Sequence, residues 1–532
     1  MSHVKVREGR GSFPPSLLAL VIIPALLAFL PAAYVVMRGA EAGWAGTVAE
    51  LLRPETGRLL WNTTVLAVSV TLVAAALALA AAWCTERLAV PGRDVLRVVA
   101  SLPLAMPAFV SSYAWASLGE TFQGMAGAVV ILAFATMPLI YLPVVAALRG
   151  VDLGFEEVSR SLGRGRWRTF YEVILPQIAP ALGGGALLVS SHMLAEFGAL
   201  SFLQVETFTT AIFTQYDVQF DNAAAAQLSA VLMVLCVPLA FGEMSLRHGK
   251  RFSRVGRGNA RALPPLDIGR WQYAVHAGFG LFALLSVGVP FATLAYWLGR
   301  GTSLGLGMEH VLPALVGSLS YALPGGLVTT LLALPLVLAS IRLRGPLVTF
   351  AERMPFIIHG LPGLVIALTL VFFAIRYTPW LYQSPVLVIV AYAMLFLPLA
   401  QSSIRASAEL APPEIEDVAR TLGRKPLAAF IAVTLPSLMP GIGAGLALTV
   451  LELMRELTAT LLLAPSGVTT LATEFWSYTN DRSYAAAAPF ALLLVLVSGV
   501  PVYIFTLRSI GPARPPLAAV PRAQDHLIAG EV

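Results

Sequence analysis

Twelve stretches of this chain are each apolar over about the 20 residues that an α-helix needs to cross the hydrocarbon core of a bilayer. Six lie near 16–37, 60–84, 97–118, 124–148, 176–203 and 223–245. Six more lie near 272–297, 314–341, 355–376, 384–405, 436–464 and 484–507. Only 12% of the 532 residues are charged and 57% are apolar, whereas a soluble domain carries about 25% charged residues. There is too little polar surface to clothe such helices in water, so lipid must cover most of the outside. The expected fold is all-α, a polytopic membrane protein of about twelve transmembrane helices. Proline inside several runs (Pro103, Pro107, Pro138, Pro143, Pro362, Pro398) is compatible with spans whose freed carbonyls find partners within the bundle. The first run follows Lys5, Arg7 and Arg10, as in a signal peptide, but it exceeds the roughly 7–15 residues of a cleaved apolar core. It reads as a retained helix.

Charge placement sets the orientation. With both termini in the cytoplasm, about 28 of the 35 Lys and Arg residues fall on the inner side, as the positive-inside rule requires. The inner segments include 85–97, 149–172 and a link at 246–271 bearing Arg247, Lys250, Arg251, Arg254, Arg257, Arg261 and Arg270. The outer segment 203–222 has Glu206, Asp217 and Asp221 and no basic residue. The basic link is read as an orientation signal rather than a nucleic-acid site.

The sequence also repeats. Shifted by 260 residues, EEVSRSLGR at 156–164 lies on EDVARTLGR at 416–424, and VILP at 173–176 on VTLP at 433–436. Pro180 falls on Pro440, Gly183 and Gly185 on Gly443 and Gly445, and Glu196 on Glu456. With six spans per copy, the halves share one orientation, as in a parallel duplication. The expected organisation is a first unit at 1–245, a cytoplasmic linker at 246–271, a second unit at 272–510 and a cytoplasmic tail at 511–532.

Each copy of the phrase lies in a cytoplasmic loop, about 152–172 and 409–432, before the fifth span. Glu156, Glu157 and Arg160 put acid before base at helical spacing, as do Glu416, Asp417 and Arg420. Gly163 and Gly423 allow positive φ where the helix stops, and Pro176 and Pro436 suit the start of the next. A short, charged knob is expected at the inner face of each half. This phrase resembles the EAA motif of ATP-binding cassette (ABC) importer permeases, with its spacing from glycine to the Leu-Pro pair kept in both copies. EVS and DVA replace EAA, and Val173 and Val433 stand where the motif has isoleucine. The resemblance implies a type I ABC importer fold and a coupling helix that docks on an ATPase subunit. Glu156, Glu157, Arg160 and Gly163 would couple in one half, and Glu416, Asp417, Arg420 and Gly423 in the other. It implies two ATPase copies and an extracytoplasmic solute-binding protein as partners, besides lipid.

No P-loop, metal-ligand spacing or GxSxG elbow is present. Cys84 and Cys236 lie in apolar runs and read as small hydrophobes. The chain is therefore expected to hold no cofactor and to be no enzyme, with ATP and magnesium bound by the partner ATPase.

Ionisable groups within spans suggest function by default. The fifth span of the first half carries His192 and Glu196, four residues apart; the equivalent positions of the second half hold Glu452 and Glu456. They either line a path for a cationic substrate, or pair with Arg455 and cap backbone at the outer end. His276 and His359 read as hydrogen-bond partners between helices, and Gly183, Gly185, Gly441, Gly443 and Gly445 as sites of close helix approach. The stretches EFGALSFLQVETFTTAIF at 196–213 and ELTATLLLAPSGVTTLATEFWSYTNDRSYAAAAP at 456–489 resemble the fused permeases of the ferric-iron uptake family, with Thr458 where that family has proline. The resemblance implies import of Fe3+ brought by a periplasmic binding protein. Related fused permeases for thiamine or aminoalkylphosphonates, and a transporter driven by an ion gradient, are the alternatives.

Overall fold

The computed structural model describes residues 21–510, apart from 25, 28, 152, 248–265, 304–307, 344 and 410–413. The start of the first expected span, most of the linker at 246–271 and the tail at 511–532 lie outside the described residues. Those residues form helices, with one isolated β-bridge between Leu88 and Leu266.

The duplication is visible element by element. The first repeat runs α1 (Leu30–Leu51), α2 (Pro54–Arg87), α3 (Arg93–Ser101), α4 (Ala108–Ala116), α5 (Gly124–Gly150), α6 (Leu153–Ser161), α7 (Arg166–Ala195), α8 (Gly198–Phe202), α9 (Phe208–Phe213) and α10 (Asn222–Arg247). The second runs α11 (Gly269–Gly301), α12 (Met308–Arg342), α13 (Pro346–His359), α14 (Gly363–Tyr377), α15 (Pro385–Ala408), α16 (Glu414–Thr421), α17 (Pro426–Met454), α18 (Thr458–Leu463), α19 (Leu471–Asn480) and α20 (Tyr484–Ile510). Each helix of the second set answers the one ten places earlier. The π-turns at Phe170–Ile174 and Phe430–Thr434 recur inside α7 and α17.

Eight of the described helices are long and apolar enough to cross a membrane, and two bent pairs bring the number to ten. The last expected span, 484–507, lies within α20. Two expectations of unbroken spans are corrected. The run 97–118 bends by 84° between Ala105 and Ala108, and 355–376 bends by 108° between α13 and α14. Proline makes both breaks. Pro107 and Pro362, with extended ψ of 137° and 138°, stand just before α4 and α14, and a proline disfavours helical geometry in the residue before it. The expected spans 176–203 and 436–464 also stop early, at Ala195 and Met454, and the short helices α8 and α18 follow after a break.

Small residues then set the packing. A Cβ added at Gly185 would lie 2.9 Å from Ile140 Cα of α5, and one at Gly445 would lie 3.3 Å from Ala400 Cα of α15. The fifth span of each repeat thus lies against the fourth with backbones nearly touching, as expected for glycine-lined helix pairs. Gly443, also expected at such a contact, faces open space.

The repeats interlock. α1 packs on α14, and α11 on α4, so the first helix of each repeat embraces the other's fourth. Glu41 of α1 accepts from Arg376 at the end of α14 (2.5 Å), and Tyr34 packs on Phe372. Trp297 of α11 donates to Ser117 Oγ just after α4 (2.9 Å). The second repeat is further tied to the loop after α2. Ala89 N–H donates to the Leu266 carbonyl (2.8 Å) and Leu266 N–H to that of Arg87 (2.9 Å). His276 lies between the Gln272 and Pro91 carbonyls at 2.7 and 3.0 Å, a bonding role of the kind its sequence position suggested.

Candidate functional site

The repeated phrase folds as α6 in one half and α16 in the other. Each ends in the same glycine cap. Gly163 has φ 76° and Gly423 φ 85°, a region that costs glycine nothing and other residues much more. Arg164 N–H reaches back to the Ser159 carbonyl and Arg424 N–H to that of Ala419, both at 3.2 Å, while the glycine amides bond Arg160 and Arg420. These are paired Schellman caps that satisfy the last carbonyls of the helix.

Within each knob the acidic residues divide the work. Glu156 is 4% exposed and turned inward, ion-paired with Arg87 at the end of α2, and Arg160 Nη2 lies 3.5 Å from its other oxygen. Glu416 takes the same part, paired with Arg342 at the end of α12 and accepting from the Thr434 hydroxyl. Of the eight residues expected to couple, Glu156 and Glu416 are turned toward the bundle. Glu156 and Glu416 clamp the knob to its own bundle. Glu157, Arg160, Asp417 and Arg420 are exposed, with Arg420 3.6 Å from Asp417.

One feature of the knobs escaped the sequence reading. Phe155, Val158 and Leu162 are 59%, 57% and 70% exposed, and Ile415, Val418 and Leu422 are 50%, 57% and 79% exposed. The spacing i, i+3, i+7 puts each trio on one helix face. That periodicity is present in the sequence, interleaved with the charged residues of the phrase.

The second site lies where the broken spans meet. The early ends of α7 and α17 and the breaks before α4 and α14 enclose a cavity of about 390 Å³ shared by the two repeats. All four intramembrane residues singled out from sequence, His192, Glu196, Glu452 and Glu456, line it, together with Arg455 and His359. Most have structural partners as well. Glu452 is ion-paired with Arg455, whose Nε lies 2.9 Å away. Glu456 accepts from the backbone N–H groups of Ala459 (3.0 Å) and Thr460 (3.0 Å) and from the Thr460 hydroxyl (2.9 Å), capping the short α18. Glu196 caps α8 through Ala199 N–H (2.9 Å) with Oε1 alone, leaving Oε2 3.6 Å from His192 Nε2. Pairing and capping thus engage Glu452, Glu456 and, through Oε1, Glu196, while Glu196 Oε2 has the His192 ring as its neighbour. Among the described residues no three His, Cys, Asp or Glu side chains converge closely enough to hold a metal ion.

A duplicated bundle of broken helices, with a knob between the fourth and fifth spans of each copy, defines a class of solute permease. The family model for binding-protein-dependent transport system inner membrane components matches residues 73–242 and again 331–508, and the chain belongs to that family. It is 44% identical over 499 residues to the Fe(3+)-transport system permease protein FbpB 2 of Haemophilus influenzae, covering 92% of this chain and 98% of the relative. It is also 21% identical over 508 residues to the ferric transport system permease protein FbpB of Actinobacillus pleuropneumoniae, covering 88% and 73%. The sulfate transport system permease protein CysT of Escherichia coli matches at 28% over 277 residues, 47% of this chain and 99% of that one. A one-repeat protein thus aligns with half of a two-repeat one. The chain is a multi-pass component of an inner-membrane transport system.

Proposed function

We propose that this chain is the membrane-spanning subunit of an ABC importer that moves ferric iron into the cytoplasm, the repeats at 1–245 and 272–510 forming its two halves. The observation that carries the reading is the pair of matched apolar knob faces, each braced to its bundle by a carboxylate paired with an arginine. Six spans separate the two knobs, so both meet the same compartment. A protein with two equivalent grooves would cover both, and an ATPase dimer has that symmetry.

On this reading Glu157, Arg160 and Gly163, with Asp417, Arg420 and Gly423, border the docking faces, and Glu156 and Glu416 pass motion from knob to helix. ATP and magnesium are held by the ATPase, and both termini and the basic linker are cytoplasmic. A binding protein delivers solute at the opposite face, and the cavity lined by His192, Glu196, Glu452 and Glu456 is the path. ATP binding shifts the halves between outward-open and inward-open arrangements to the extent that the ATPase dimer holds one more tightly. Iron is supported by the ferric transport relatives and by a cavity with three carboxylates against one guanidinium, a balance that suits a cation rather than sulfate.

The test is reconstitution with a cognate ATPase and binding protein in vesicles. Iron should accumulate only with ATP, the binding protein and the ATPase all present. Accumulation driven by an ion gradient alone would overturn the reading.

A further inference from the structure

The cavity holds two imidazoles, one from each repeat, and His359 is the better prepared of the two to meet a metal. It is the last residue of α13, where the span breaks, and its Nδ1 lies 2.6 Å from the Leu395 carbonyl oxygen on α15. A carbonyl oxygen only accepts, so Nδ1 carries the proton. In the uncharged ring the lone pair then sits on Nε2. That nitrogen has no protein partner among the described residues, and the side chain is exposed in the cavity wall. One nitrogen anchored to a backbone carbonyl and the other presented is the arrangement that metal-binding histidines adopt.

The remaining polar groups can be sorted by what they have already committed. Arg455 and Glu452 neutralise each other, and Glu456 is engaged by α18. The uncommitted donors are His359 Nε2, Glu196 Oε2 and the His192 ring beside it. Ser191, which also lines the cavity, buries its hydroxyl at 8% exposure with no hydrogen-bond partner. Mixed imidazole and carboxylate donors suit first-row transition metals. They come from both repeats and line one cavity without converging as a metal cage, and a path must bind weakly enough to release.

Size points the same way. A cation with six waters occupies about 180 Å³ at the volume of liquid water, so the 390 Å³ cavity accommodates it. We propose that His359 contacts the cargo through Nε2 as a hydrated transition-metal cation crosses the cavity. This rests on the cavity being the transport path.

Two measurements test it. The first compares wild type, His359→Ala and His359→Asn in vesicles with ATPase and binding protein. Asparagine can offer an N–H where Nδ1–H stood, keeping the tie to Leu395, but it has no counterpart of Nε2. Both variants should lose roughly tenfold in iron moved per ATP hydrolysed, a loss of the order seen when metal sites are weakened. If His359→Asn transports like wild type, the side chain is only a tie between helices and the proposal fails. The second uses the wild-type chain and does not depend on any variant folding. Carbethoxylation of His359 by diethyl pyrocarbonate, followed by mass spectrometry, should be slowed by zinc chloride and not by magnesium chloride, whose cation prefers oxygen donors. Equal rates with and without zinc, or equal protection by magnesium, would overturn it. Absence of ATP-dependent uptake by the wild type would instead strike the importer reading, while the protection measurement still decides His359.

Discussion

At the scale of single residues, the knob shows how one carboxylate can differ from its neighbour in the same motif. Glu156 and Glu157 are adjacent, yet one is buried against Arg87 and the other faces solvent. The two clamps are also unequal. The side chains of Arg87 and Glu156 are 12% and 5% exposed, whereas those of Arg342 and Glu416 are 37% and 13% exposed. Removing one partner of a buried pair strands a charge and costs about 3 kcal/mol or more, while a solvated pair contributes about 1 kcal/mol or less. Arg87→Ala should therefore lower the melting temperature of the purified chain more than Arg342→Ala does. Thermal unfolding of both variants in the same detergent checks this, and equal shifts would show that burial does not govern the clamp.

At the scale of elements, the knob helices are too short to be stable alone, since isolated helices below about 12–15 residues are marginal in water. α6 and α16 persist because each is capped by glycine, clamped by its acid and continued into a long span. Their outward faces then remain apolar. Burying a leucine side chain contributes about 1.5–3 kcal/mol, so Leu162→Asp or Leu422→Asp should weaken association with the ATPase roughly tenfold or more, and the pair together should prevent it. Co-purification from membranes measures this. Retention of the ATPase by the double variant would exclude these faces as its contact. The broken spans make the complementary point. Pro107 and Pro362 end one helix and start another, and the opened backbone creates the walls of the cavity.

For the whole molecule, duplication supplies two bundles of one orientation, and the exchange of α1 and α11 between them makes one body with a shared cavity. The proposed orientation puts α6 in the cytoplasm and the segment after α9 outside. A cysteine introduced by Gln219→Cys should react with an impermeant maleimide in spheroplasts, and one introduced by Ser161→Cys only after lysis. Both positions are exposed. The reverse pattern would invert the topology and remove the ATPase from the knobs.

The sequence by itself determined the membrane environment, the duplication and the knobs. Each of these is a one-dimensional signal: length of an apolar run, self-similarity at a fixed shift, and a glycine whose positive φ follows from its place after a helix. Tertiary structure alone decided which acid of the motif is buried, where the third and ninth spans break, and that His359 shares a cavity with Glu196. Those are contacts between segments far apart in the chain. Hydropathy cannot report a bend at a proline that bundle helices often tolerate, and a lone histidine carries no local mark of the carbonyl that will fix its tautomer. The same four intramembrane positions could be picked out from the sequence, but which atoms of each are engaged at a helix end depends on a backbone that breaks after Ala195 and Met454.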